Sequence, residues 1–158
     1  MNNIFLKNFI IVSFISILVT RFIPHPPNFT SAIALTFYLP AIFGLKFLIV
    51  ALTAFIISDL FIGIHQLIFF TWGSLLLIGC LSKFFKIFYL RFLGIIVSCF
   101  LFFIISNFGV WLLTSLYEFS LSGLLACYTM AIPFLQNSLI SSLFFSMIIE
   151  LILIFKST

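Results

Sequence analysis

Arg21, His25, Asn28, Asp59 and His65 are the side chains of this sequence best equipped to meet a polar ligand. An arginine offers a planar fork of N–H donors that suits a carboxylate or a phosphate, so Arg21 reads as the holder of an anionic group. Asp59 reads two ways: it orients Arg21, or it accepts a donor from a ligand. Trp72 and Trp111 offer flat faces that stack on a ring and Tyr128 is a further ligand contact, or all three belong to the aromatic belt of a membrane surface, which is the reading for Tyr117. His25 and His65 are loop contacts to a ligand or solvated loop residues. Asn107 and Asn137 carry amides that need hydrogen-bond partners among apolar helices.

Other chemistries fit the residues less well. Two histidines and one aspartate could ligate a metal, but their spacing matches no metal site, and no metal or other cofactor is expected. Gly73-Ser74 with His65 nearby is too little for an intramembrane hydrolase, and GxSxG and HExxH are both absent. No Walker A sequence is present, so nucleotide energy would have to come from elsewhere. The chain is expected not to be an enzyme. Cys80, Cys99 and Cys127 lie singly in apolar runs and read as buried small hydrophobes.

The elements that must position these residues follow from composition. Only 6% of the 158 residues are charged and 65% are hydrophobic, with 25 Phe. The mean hydropathy is +1.44. A soluble surface needs about 25% charged residues, so this is the composition of an integral membrane protein. A span takes about 20 apolar residues. Six candidates are read, at about 4–23, 29–44, 46–64, 67–82, 92–116 and 133–155, within one transmembrane domain over 1–158. The expected fold is all-α, a polytopic membrane helical bundle of about six helices. The second candidate is short and carries Pro40, and the fourth is also short. The first lacks a small-x-small cleavage site and reads as a retained span. The segment "LSGLLACYTMAIPF" reads as a short surface helix ended by Pro133.

Charge supplies an independent check on the count. With the N-terminus in the cytoplasm, six spans place Lys7, Lys46, Lys83, Lys86, Arg91 and Lys156 inside and only Arg21 outside. Cytoplasmic loops of membrane proteins carry the excess of Lys and Arg. Five spans would break that match. The basic residues sit singly at the ends of apolar runs, so no nucleic-acid face is expected.

The same topology sorts the polar residues by depth. Asp59 falls about a turn and a half below the outer end of the third span. Asn107 and Trp111, four apart, share one face on the outer half of the fifth. Gln66, Ser74, Gln136 and the residues named above also fall in the outer half. The inner half offers only lysines, Arg91 and Glu150, and both Glu118 and Glu150 read as interfacial. Ser13-Ser16-Thr20 and Ser138-Ser142-Ser146 repeat at helical spacing and read as packing stripes. One-sided polarity of this kind suggests an apolar, aromatic pocket with a few fixed polar groups, open to the outside. Its expected lining is Arg21, His25, Asn28, Asp59, His65, Trp72, Asn107, Trp111, Tyr128 and Asn137.

Several stretches carry a resemblance. "PHPPNFTSAIAL", "SDLFIGIH", "ISNFGVW" and "GLLACYTMAIPFLQN" resemble an uncharacterised family of short bacterial membrane proteins described as transport proteins, from Arg21 to about Phe144. "ALTAFIISDLFIGIH", running on to "WGSLLLIG", is more distantly similar to the S components of energy-coupling factor transporters. That similarity implies six helices, a vitamin-like solute bound near the outer surface, and a transmembrane coupling subunit with ATPases as partner. The first span departs from S components in having no alanine, only Ser13 and Ser16, on its docking face. The N-terminal histidine motif of the metal-transporting S components is also missing. The resemblance to bacterial membrane proteins implies a multi-pass protein of the cytoplasmic (inner) membrane, and the charge count over six spans puts both termini inside. The expected function is a transport component binding a small organic solute from outside. The competing expectation is a scaffold subunit of an envelope complex, whose outer-half polar groups would satisfy one another and leave no cavity.

Overall fold

A computed structural model describes residues 3–157. The described residues form helices and turns only: α1 (Asn3–Phe22), α2 (Ala32–Phe43), α3 (Leu48–Ile62), α4 (Ile68–Leu81), α5 (Phe88–Leu113), α6 (Leu121–Met130) and α7 (Ile132–Ser157). Single 3-10 turns, Leu45–Phe47 and Ser82–Phe84, precede α3 and follow α4. Four segments are long and apolar enough to cross a membrane: Asn3–Phe22, Leu45–Ile62, Phe88–Leu113 and Ile132–Lys156. Ala32–Phe43, Ile68–Phe84 and Leu121–Met130 are shorter apolar helices. The chain is all-helical, and four potential spans are compatible with a multi-pass membrane protein.

α2 organises the molecule. Its sequence, AIALTFYLPAIF, has no polar face, and a helix apolar all round belongs in an interior. Every residue from Ala32 to Pro40 is buried, and α2 packs on α3, α4, α5 and α7. At 12 residues it is about 18 Å long, against about 30 Å for the 20 residues of α1. It starts three residues later than the sequence suggests, because Asn28 takes a left-handed backbone (φ 64°) and Pro26–Ser31 turn on themselves instead of coiling.

The helix directions follow from contacts at their ends. The last turns of α1 and α3 meet through Arg21 and Asp59, so these helices run parallel and α2 returns between them. Arg91, in the first turn of α5, meets Glu150 near the end of α7, so those two run antiparallel. Phe9 packs on Phe43, and Lys156 lies 5.6 Å from the Phe5 ring. The start of α1 and the ends of α2 and α7 thus share one end of the bundle.

Two local expectations need correction. Pro133 does not end α6; it lies in the first turn of α7, where its missing N–H removes no helical hydrogen bond. Glu150 is not interfacial but 3% exposed. Arg91 donates to both of its oxygens, at 2.5 and 2.8 Å, and the Tyr38 hydroxyl donates to one of them at 2.9 Å. The packing of α7 on α5 and α2 is what buries it, and α5 begins at Phe88, early enough to carry Arg91.

The serine stripes do serve packing in part. Ser13, Ser138, Ser142 and Ser146 are buried between helices. Ser98 and Ser146 return their hydroxyls to the carbonyls of Gly94 and Ser142. Ser16 and Thr20 do more, since both hydrogen-bond the Ser31 hydroxyl and tie the start of α2 to α1.

Candidate functional site

The shortness of α2 leaves space above its first turn. The longer neighbours continue past it, and the Ile23–Ser31 loop does not fill the gap. The result is a cavity of about 320 Å³, within the range of small-molecule sites. It lies at the end of the bundle away from Lys46, Lys83, Lys86 and Lys156.

Its lining is graded in polarity. His25 and Asn28 come from the α1–α2 loop and His65 from the α3–α4 turn, and with Ile62 they form the rim. Arg21, Thr30 and Thr71 lie lower. Ile33, Phe55, Leu75 and Phe102 form an apolar floor, with the Ser138 hydroxyl group at one side. Phe55 is seven residues before Ile62 on α3, which puts the floor about 10 Å below the rim.

Arg21 is held on two sides. Its Nη2 donates to Oδ1 of Asp59, and the guanidinium carbon lies 3.7 Å from the centre of the Phe55 ring. The other Asp59 oxygen accepts the Trp72 Nε1–H at 2.7 Å. Asp59 itself is 1% exposed and does not line the cavity. Of the two readings for this carboxylate, the geometry favours the one in which it orients Arg21. The guanidinium Nε is buried with no hydrogen-bond partner.

The ten residues singled out by sequence therefore divide. Arg21, His25, Asn28 and His65 line the cavity. Asp59 and Trp72 stand behind Arg21 as its support. Asn107 donates to the Phe103 carbonyl of its own helix at 2.8 Å. Trp111 donates to the Glu118 carbonyl and stacks on Phe119 at 4.5 Å. Tyr128 donates to the Ile104 carbonyl at 2.8 Å, joining α6 to α5. Asn137 donates to the Pro27 carbonyl at 3.0 Å, and Ser141 reaches the Asn28 carbonyl at 3.5 Å. These last contacts pin the loop to α7 and shape the rim without entering it. Among the described residues, no group of three His, Cys, Asp or Glu comes together to hold a metal.

Residues 2–155 match the model of a family described as a family of unknown function (DUF6580). The chain belongs to that family. No curated protein and no solved structure matches it. In this family member sequence reasoning missed the apolar lining, Phe55 and Phe102 among it, and the hydroxyl-bearing Thr30, Thr71 and Ser138. Thr30 and Thr71 each sit within a few residues of a histidine at a helix start, a signal that was available. Ser138 had only its place in a packing stripe.

Proposed function

We propose that this chain is a membrane transport component that binds a small organic solute, vitamin- or precursor-like, in the cavity above α2. The observation that carries the reading is the cavity itself, with a polar rim, an apolar floor and an arginine between them. It opens at the end of the bundle opposite Lys46, Lys83, Lys86 and Lys156, which the positive-inside bias assigns to the outer side of the cytoplasmic membrane.

Six crossings fit the helix directions better than four. α1 and α3 run parallel, so α2 has to cross between them despite its length, and α4 does the same between α3 and α5. Irregular backbone at membrane depth is tolerated where it lines a cavity, which is where the α1–α2 loop lies. α6 then stays at the outer end. Six crossings with an outer cavity would be S-component-like, and on that reading the energising partner would be a transmembrane coupling subunit with ATPases. Binding rather than catalysis is favoured because no hydrogen bond joins a lining hydroxyl to a lining histidine among the described residues.

The scaffold reading has one observation in its favour: Asp59, Trp72, Asn107, Trp111, Tyr128 and Asn137 direct polar groups to protein partners. It also requires a closed outer half, and the cavity weighs against that. Small-molecule mass spectrometry of the purified protein tests the choice. A metabolite should co-purify with the wild type and be lost from Leu75→Trp, which fills the cavity floor. Identical profiles for the two proteins would sink the transport reading.

A further inference from the structure

We propose that the ligand of this cavity is a short-tailed amphipathic monocarboxylate that enters tail first, an inference that rests on the solute-binding reading above. The lining supplies an arginine and two histidines, and no carboxylate among the described residues. The nearest acid, Asp59, has one oxygen taken by Arg21 and the other by Trp72. An ammonium group would find no anionic acceptor here.

Arg21 meets the opposite requirement. Only its Nη2 is engaged by Asp59, while Nε is buried without a partner. A buried donor left unpaired is costly, and a carboxylate is the group whose geometry matches a guanidinium edge. Phe55 beneath the guanidinium and Asp59 beside it fix the plane of the fork before any ligand arrives.

The histidines add direction. The Nδ1 of His65 accepts the Leu67 backbone N–H at 3.2 Å, which assigns the ring proton to Nε2 and makes that nitrogen a donor. The Nδ1 of His25 lies 2.7 Å from the Pro26 carbonyl and so donates, leaving Nε2 as an acceptor in the neutral ring. The rim thus offers one further donor for a carboxylate and one acceptor for a polar hydrogen near it. The first turn of α2 below adds a favourable dipole for an anion. Beside and below Arg21 the lining turns apolar, and its floor lies about 10 Å below the rim, room for a ring or a short chain.

Three probes of one shape and different charge test the inference: 2-naphthoate, 2-naphthamide and 2-naphthylmethylamine. Binding is measured on the full chain in lipid nanodiscs, with empty nanodiscs as the partition reference. 2-Naphthoate should bind at least tenfold more tightly than the amide, and the amine most weakly. The double variant Arg21→Gln/Asp59→Asn removes both charges and keeps an acceptor for Trp72; it should bring acid and amide to equal affinity. His65→Gln, which removes no contact made by Arg21 or Asp59, should weaken the acid several-fold and the amide less.

An amide or amine that binds the wild type as tightly as the acid would overturn the carboxylate assignment. If that binding were blocked by Leu75→Trp, the solute-binding reading would stand without it. A preference for the acid that survives in the double variant would overturn the role of Arg21. Failure of all three probes would overturn the amphipathic class, while the metabolite comparison above decides the wider reading by itself.

Discussion

Asp59 and Glu150 are buried acids at opposite ends of the bundle, each held by an arginine and by one neutral donor, Trp72 or Tyr38. Removing the acid of such a pair leaves a partly buried arginine without its counter-ion, at a cost of up to about 3–5 kcal/mol. Asp59→Ala and Glu150→Ala should therefore lower the unfolding midpoint in detergent far more than Arg21→Gln/Asp59→Asn does. Equal destabilisation by the single and double variants would mean that the Asp59 pair stands nearly free of coupling. The two acids should part company in binding. Glu150→Gln keeps an acceptor for Tyr38 and lies away from the cavity, so it should leave solute affinity unchanged while it weakens the fold.

The residue scale also shows what a sequence can disclose. Arg21, His25, Asn28 and His65 were legible because a polar group at the end of an apolar run is expensive and stands out. Phe55 and Phe102 were not, since 25 phenylalanines leave no single one distinctive. Asn107, Trp111 and Tyr128 were conspicuous for the same reason as Arg21, yet each donates to a backbone carbonyl, of its own helix for Asn107, of the α5–α6 loop for Trp111 and of α5 for Tyr128. The sequence marks a polar group that needs a partner; only the packing says whether that partner is protein.

At the scale of elements, the six apolar runs correspond to α1–α5 and α7, and the surface segment to α6, with ends shifted by a few residues. Two shifts have local causes: the left-handed Asn28 before α2, and Pro133, which opens α7 instead of closing α6. Close approach of helices was less legible, and glycines carry it. A Cβ on Gly123 would strike the Glu118 carbonyl, which already accepts from Trp111 at 3.0 Å and from the Ser120 N–H at 2.8 Å. A Cβ on Gly94 would meet the Phe37 and Phe85 rings, one on the central helix and one in the α4–α5 turn. A Cβ on Gly79 would meet only the end of Leu48, which can rotate away. Overpacking of rigid neighbours costs about 1–3 kcal/mol. Thermal unfolding of the three alanine variants should thus rank Gly123→Ala and Gly94→Ala well below wild type and Gly79→Ala close to it. A reversed order would show that the α5–α6 turn yields more readily than a leucine side chain.

For the whole molecule, the deciding quantity is which end faces out. α2 is too short by length alone to be counted as a span, and Ile68–Phe84 falls just short as well. α2 is nevertheless enclosed by its neighbours, α4 packs on α2, α3 and α5, and on the proposed reading both helices cross back between longer ones. The cavity, the Arg21–Asp59 pair and the loops bearing His25 and His65 then share one end, and Lys46, Lys83 and Lys86 the other. Reactive cysteines read this directly. In a background with Cys80, Cys99 and Cys127 replaced by alanine, His25→Cys and His65→Cys should react with a membrane-impermeant maleimide added to intact cells. Lys46→Cys and Lys86→Cys should react only after the membrane is opened. Labelling at 46 and 86 but not at 25 and 65 would invert the protein and turn the cavity toward the cytoplasm, where uptake from outside could not begin. Labelling at 25 and 46 together would mean that α2 fails to cross, and the six-crossing architecture would fall with it.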